Sequence, residues 1–272
     1  MVEGRPIKRY IHNWMYSDIT YIANSDFTKA MLESVGIEPT AVIPHGVNME
    51  KVKSIEKMED AGKSLVRSKF GVRESETVVF GVIASSHRRK GMDMFAEVVK
   101  KVTEADDRAC FYILTPPEVL PFFSGIKNVY VNTGFGGSPN AISRKETLML
   151  LSGFDFLIQP SLAESFCLPV LEAMAFGKPV IHLDYNPLSS LTTDDASIRV
   201  PVTSSEFVDT GEGIEYLMHF YDVNEFAEAI LKAVDLYLND ENSYRKMCEK
   251  AKKRASEMDS NKIYKKLLKF LG

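Results

Sequence analysis

The chain has 272 residues, 45% of them hydrophobic and 26% charged, a composition that suits one to two globular domains with a full core. A formal net charge of −4 lacks the concentrated positive charge of phosphate-backbone binders, so nucleic acid is not an expected partner. Cys110, Cys167 and Cys248 are widely spaced, with neither a C-x-x-C pair nor the histidine spacing of a zinc site, and they predict a reducing compartment and no metal. No apolar run reaches the roughly 18 residues of a membrane span, and the start, MVEGRPIKRY, has no apolar signal core, so a cytoplasmic protein is expected.

In chain order, Ile7, Tyr10, Ile11, Trp14 and Met15 fall at helical spacing and predict a helix whose apolar face must pack elsewhere, on a partner chain or a second copy. TYIAN (20–24) and AVIP (41–44) then predict short strands around a helix from Asp26 to Ser34, with Asn24, Ser25 and Asp26 as capping candidates. Five apolar, β-branched runs follow, at Thr77–Ala84, Cys110–Thr115, Asn128–Asn132, Phe154–Gln159 and Pro179–Leu183. Helical segments separate them: after Gly91, around Pro116–Phe123, Ser143–Leu151 and Leu168–Phe176. This alternation predicts an α/β fold with a doubly wound, Rossmann-like parallel sheet. Ser189–Glu215 is rich in Ser, Thr, Asp and Glu and is expected to be a polar loop or insertion.

Regular helices should resume near Asp222. From Arg245 onward ten Lys or Arg residues predict a basic amphipathic helix, read as a solvated face or as a peripheral membrane contact. The expected organisation is an N-terminal remnant and crossover (1–48), a nucleotide-binding domain (49–258) and the basic helix (259–272).

Ligands of open parallel sheets bind beyond the carboxyl ends of the strands, so the loops leaving the strands are the places to search. SSHRRKG (85–91) sets Arg88, Arg89 and Lys90 before a helix, which fits either a phosphate site or a solvated turn. SLAESFCLPVLEAMAFGKPVI (161–181) is more specific. Glu164 lies in the loop, Pro169 in the first turn, and Glu172 about one turn further in, so backbone N–H groups of Ser165, Phe166 and Cys167 can meet an anion. The pairs Asp106–Asp107 and Asp194–Asp195 do not make convincing metal sites.

These residues resemble the retaining GT-B glycosyltransferases, whose signature is E-x7-E. The resemblance runs through NSDFTKAMLESVGIEPTAVIPHGVN, RRKG, NVYVNTG and the C-terminal helices. It implies transfer of a sugar from a nucleoside diphosphate sugar, UDP or GDP, to an acceptor on a glycan, protein or lipid, with retention and without a further cofactor. Glu172 would bind the donor ribose, Glu164 the transferred sugar, the backbone of Ser165, Phe166, Cys167 and Leu168 the diphosphate and sugar, Lys90 and Arg89 the phosphates, and Gly134 and Phe135 the base. Ser85 and Cys167 depart from the family's usual Arg and Gly. The family's N-terminal domain is nearly finished where this chain begins, so the alternative is a non-catalytic donor-binding subunit that needs a partner for the acceptor. A nucleotide-sugar epimerase matches the E-x7-E run less closely. Histidines 12, 45, 87, 182 and 219 receive no catalytic role; His45 reads as a loop residue and His87 as a neighbour of the phosphate.

Overall fold

The computed structural model describes residues 4–7, 20–71, 76–138 and 140–270; the helix expected around Trp14 lies outside them. The first elements are β1 (Arg5–Pro6), β2 (Ile22–Ala23), α1 (Asp26–Glu33), β3 (Ala41–Val42), α2 (Met49–Glu56) and α3 (Glu59–Arg67). The central unit contains β4 (Val78–Ile83), α4 (Met92–Ala105), β5 (Ala109–Leu114), β6 (Val129–Asn132), α5 (Arg144–Gly153), β7 (Phe156–Gln159), α6 (Leu168–Ala175) and β8 (Val180–Leu183). It continues through α7 (Leu188–Leu191), β9 (Ser197–Val200), β10 (Ser204–Asp209), β11 (Ile214–Phe220), α8 (Val223–Asn239), α9 (Glu241–Ser256) and α10 (Ser260–Ile263).

The main sheet has six parallel strands in the order β6-β5-β4-β7-β8-β9. Every residue of β4, β5, β7 and β8 is buried, as their unbroken apolar runs require. Phe80 stacks between Phe111 and Phe156, at centroid distances of 5.4 and 5.6 Å, and ties the three middle strands together. The chain winds outward from β4 to β6, then returns to β7 on the other side of β4. The loops leaving β4 and β7 therefore emerge side by side at the topological switch point, where open α/β sheets bind ligands.

All five predicted strands form. Ser25 caps α1 by accepting from Thr28 N–H at 3.1 Å, and Ser143 with Glu146 makes a capping box at α5. Gly71 and Gly177 end their helices with φ of 67° and 70°. Pro117–Phe123 is a 3-10 helix rather than an α-helix, with Pro121 inside it.

Two expectations require correction. The polar stretch Ser189–Glu215 is not a loop: it contains most of α7, the sixth sheet strand β9, and β10, which pairs antiparallel with β11. β10 is mostly exposed, so its polar sequence disguises a strand held by backbone pairing to its neighbour. β1 adds to the other edge of β11 to complete a three-stranded sheet. The basic segment from 259 is likewise not one amphipathic α-helix. It is the single turn α10 followed by a 3-10 helix, Tyr264–Phe270, with Leu268 exposed. Among the described residues no helix is long and apolar enough to cross a membrane.

His182, in the middle of β8, is fully buried, with Nδ1 donating to the Leu183 carbonyl at 2.8 Å. Burial pushes its pKa down from 6.5 to about 4. A depressed histidine pKa means that the unfolded chain takes up the proton first, so stability is complete above pH 6.5 and falls as pH drops toward 4. Between pH 7 and pH 5 this group is expected to cost about 2 kcal/mol. Urea unfolding at the two pH values, with His182→Gln as reference, checks this; an identical pH dependence in the variant would refute it.

Candidate active site

The loop after β4 ends in a 3-10 turn, Arg88–Lys90, closed by Gly91 with φ 61°. A Cβ on Gly91 would sit 3.1 Å from both the Pro160 carbonyl and Leu162, so a side chain here would be strained by its positive φ and crowd the loop leaving β7. The Arg89 carbonyl accepts from Leu162 N–H at 2.8 Å, locking the two loops together.

Glu164 stands between them with 3% of its surface exposed. One carboxylate oxygen accepts from Lys90 Nζ at 2.5 Å and from Gln159 Nε2 at 2.9 Å; the other accepts from Arg89 at 3.3 Å. Burial alone would raise the Glu164 pKa, but the charges of Lys90 and Arg89 outweigh it and hold the carboxyl below its ordinary value. Two cations against one carboxylate leave a net positive charge at the head of α6, which itself presents the positive end of a helix dipole. Arg89 lies beneath Glu164 and also donates to the Ala163 carbonyl at 3.0 Å; Lys90 faces the open side. Arg88 is exposed and lines neither the cavity of Lys90 and Glu164 nor that of Glu172.

Lys90, Glu164, Ser165, Phe166, Cys167, Leu168, Pro169 and His45 line one cavity of about 190 Å³. Glu172, 6% exposed on α6, lies in the wall of a neighbouring cavity of about 380 Å³ with Asn48, Lys51, Arg144 and Tyr264. Leu168 belongs to both walls, so the two glutamates serve adjoining spaces. Gly134 and Phe135 line neither; the Gly134 N–H is taken by Asn132 Oδ1 at 2.8 Å and its carbonyl by Ile142.

Cys167 occupies the left-handed region, φ 76° and ψ 77°, a conformation glycine adopts freely and a cysteine holds under strain. It is buried, and burial pushes its thiol pKa far above the ordinary range, so the thiol stays protonated. The loop is fixed from outside by Ser25, whose hydroxyl donates to the Ser165 carbonyl at 2.6 Å, and by Asn24, whose amide reaches Ser165 Oγ at 3.3 Å.

Four participants were not legible as such. His45 packs edge-on against Phe166 at 5.0 Å; its Nε2 is shielded from solvent with no hydrogen-bond partner among the described residues, and burial lowers its pKa, keeping the ring neutral. Gln159 looks like the last residue of a strand, and only its position at the strand's carboxyl end hints at a role. Arg144, first residue of α5, pairs with Glu172. Tyr264 comes from the C-terminal segment. Its hydroxyl accepts from Gly46 N–H at 3.3 Å. A Cβ on Gly46 would fall 2.5 Å from Ser260 Cα, so the crossover and the C-terminal segment meet backbone to backbone. His87 is held by the β10–β11 hairpin through Glu212 rather than directed toward the cavities. Among the described residues no cluster of His, Cys, Asp and Glu is suited to a metal ion.

Comparison with known proteins agrees with this geometry. The pattern of the family described as "Glycosyl transferases group 1" matches residues 76–235, and so spans both loops. A viral protein, "Uncharacterized glycosyltransferase 335" of Sulfolobus islandicus rod-shaped virus 1, is 26% identical over 271 residues, 98% of this chain and 77% of that protein. Glycogen synthase of Xanthomonas campestris pv. campestris is 28% identical over 125 residues, 45% of this chain but 26% of the synthase. Among solved structures, Anabaena Alr3699/HepE in complex with UDP-glucose superposes with a TM-score of 0.70 at 17% identity, covering 97% of this chain and 66% of that one. Sucrose-phosphate synthase from Thermosynechococcus elongatus gives 0.64 at 17%, covering 92% and 56%. The chain thus spans less than two thirds of these two solved structures. They share its fold, a GT-B half built on a parallel sheet, and with the family pattern running through more than half of its length, this chain belongs to the glycosyl transferases group 1.

Proposed function

We propose that the chain binds a nucleoside diphosphate sugar and transfers the sugar, with retention of configuration, to an acceptor hydroxyl. The observation that carries this is the pair of adjoining cavities at the switch point, one headed by Lys90 and Glu164, the other by Glu172. The smaller suits a diphosphate and its sugar. The larger suits a nucleoside, whose ribose hydroxyls are acceptable donors to Glu172. A relative solved with UDP-glucose supports the same ligand class here.

Leaving of the diphosphate builds negative charge, which Lys90 meets directly, Arg89 through the field behind Glu164, and α6 through its N-terminus. Glu164, oriented by Gln159, accepts from sugar hydroxyls. His45, neutral and with its Nε2 unengaged among the described residues, offers a further polar contact to the donor. In this scheme a departing phosphate oxygen takes the acceptor's proton, so no side chain serves as nucleophile.

Calorimetric titration with UDP, GDP and ADP sugars tests the reading and identifies the base. Glu172→Ala should weaken a ribonucleotide by roughly 10- to 100-fold, the range of a charged hydrogen bond, while its 2′-deoxy analogue loses less. An unchanged preference would remove the ribose assignment. Donor binding by the isolated chain without turnover, restored by a second chain, would favour the binding-subunit reading.

A further inference from the structure

We propose that His87, Glu212 and Tyr216 form a latch through which the β10–β11 hairpin positions Lys90. His87 caps the turn Arg88–Lys90: its Nδ1 accepts the Arg89 N–H at 3.1 Å. Since Nδ1 accepts, Nε2 carries the ring proton, and it faces both oxygens of Glu212 at 3.1 and 3.2 Å. Glu212 also accepts from the Tyr216 hydroxyl at 2.8 Å, and this bond first, then His87, holds its carboxyl below the ordinary value. The His87 ring packs on Tyr216 at 5.2 Å, and the Arg89 guanidinium lies 5.9 Å from the same ring.

The hairpin is shaped for this contact. Glu212 sits between Gly211 and Gly213, whose φ values of 85° and 78° let a tight turn carry the carboxylate back toward the β4 loop. Further along β11, His219 N–H donates to the Leu162 carbonyl at 2.8 Å, and the His219 ring stacks on Tyr185 at 4.1 Å. Tyr185 in turn donates to the Ser161 carbonyl at 2.8 Å. One hairpin therefore braces both loops of the candidate site, through Glu212 and Tyr216 on one and His219 on the other. Three adjacent cations repel one another, and a turn carrying them keeps a single geometry only if something outside it fixes the backbone. Glu212 supplies both the anchor, through His87, and a compensating charge.

This inference rests on the donor-site reading for its functional consequence, and the test separates the two. Amide hydrogen exchange of the peptide containing residues 85–91 reads the latch without any ligand. Glu212→Ala and His87→Ala are each expected to speed it at least tenfold, and Glu212→Gln, which still accepts from both partners, to restore most of the protection. Calorimetry with UDP and GDP then reads the consequence: about tenfold weaker binding in each alanine variant, rescue by Glu212→Gln, and a double variant no weaker than either single one, as members of one unit require. Exchange and affinity within twofold of wild type in the alanine variants, or losses that add in the double variant, would overturn the latch. Wild-type protein that binds no nucleotide, with exchange responding as described, would overturn the donor-site reading and leave the latch standing.

Discussion

Replacing Glu164 with alanine should lower nucleoside diphosphate release from a donor sugar by two to three orders of magnitude, the scale on which single preorganised electrostatic groups act. The carboxylate is buried and touches Lys90, Arg89 and Gln159 at once, so its loss removes the proposed sugar contact and frees two cations to reorient. The same loss leaves Arg89 and Lys90 partly buried without their counter-charge, which weakens folding as well. Glu164→Gln separates these effects. It keeps the side chain's volume and an acceptor for Lys90 or Gln159 while removing the charge, so activity should fall far more than stability. Turnover measured beside urea unfolding decides the matter. Equal release rates in wild type and both variants would sink the assignment.

The second large effect concerns the fold. Asp155, just before β7, is buried; one carboxylate oxygen accepts from Arg67 at 2.8 Å and from Val79 N–H at 2.8 Å, while its own N–H donates to the Val79 carbonyl. Burial raises its pKa despite the pull of Arg67, a sign of how little solvent reaches it. Asp155→Ala is therefore expected to cost about 3–5 kcal/mol, because it takes the carboxylate from the buried Arg67 guanidinium and the acceptor from the Val79 N–H. That is a large share of the roughly 5–15 kcal/mol by which domains are stable. Asp155→Leu with Arg67→Met should recover most of the loss, since an apolar pair carries no desolvation penalty. Chemical denaturation of the three proteins checks this, and a single variant as stable as wild type would contradict it.

These two residues show where sequence reading reaches and where it stops. Glu164 was legible because its context is local: a strand, a short loop, a proline-started helix and a second glutamate lie within one stretch. Four of the five central strands, β4, β5, β7 and β8, were legible for a similar reason, since burial on both faces writes largely apolar runs into them. Asp155, within the predicted strand Phe154–Gln159, received no role of its own, because its partner Arg67 lies 88 positions earlier. β10 was read as loop because an exposed strand needs no apolar residues when its neighbour supplies the hydrogen bonds. His45 and Tyr264 reach the cavities only through tertiary contacts that no local pattern records. The departure at Cys167 was visible in sequence, but its form, a left-handed cysteine, needed the backbone.

The wall of the Glu172 cavity has a consequence for the order in which the protein becomes competent. It joins Asn48 and Lys51 near one end of the chain to Ser260 and Tyr264 near the other, with Gly46 pressed against Ser260 where they meet. A chain emerging from the ribosome has both loops of the switch point once residue 168 is made, yet this cavity stays open on one side until Ser260 and Tyr264 follow. The residues that build the sheet and those that close this side of the cavity are therefore separated by about sixty positions that include α8 and α9, and removing Ser260 and Tyr264 is expected to open that wall while leaving the sheet's own strands untouched.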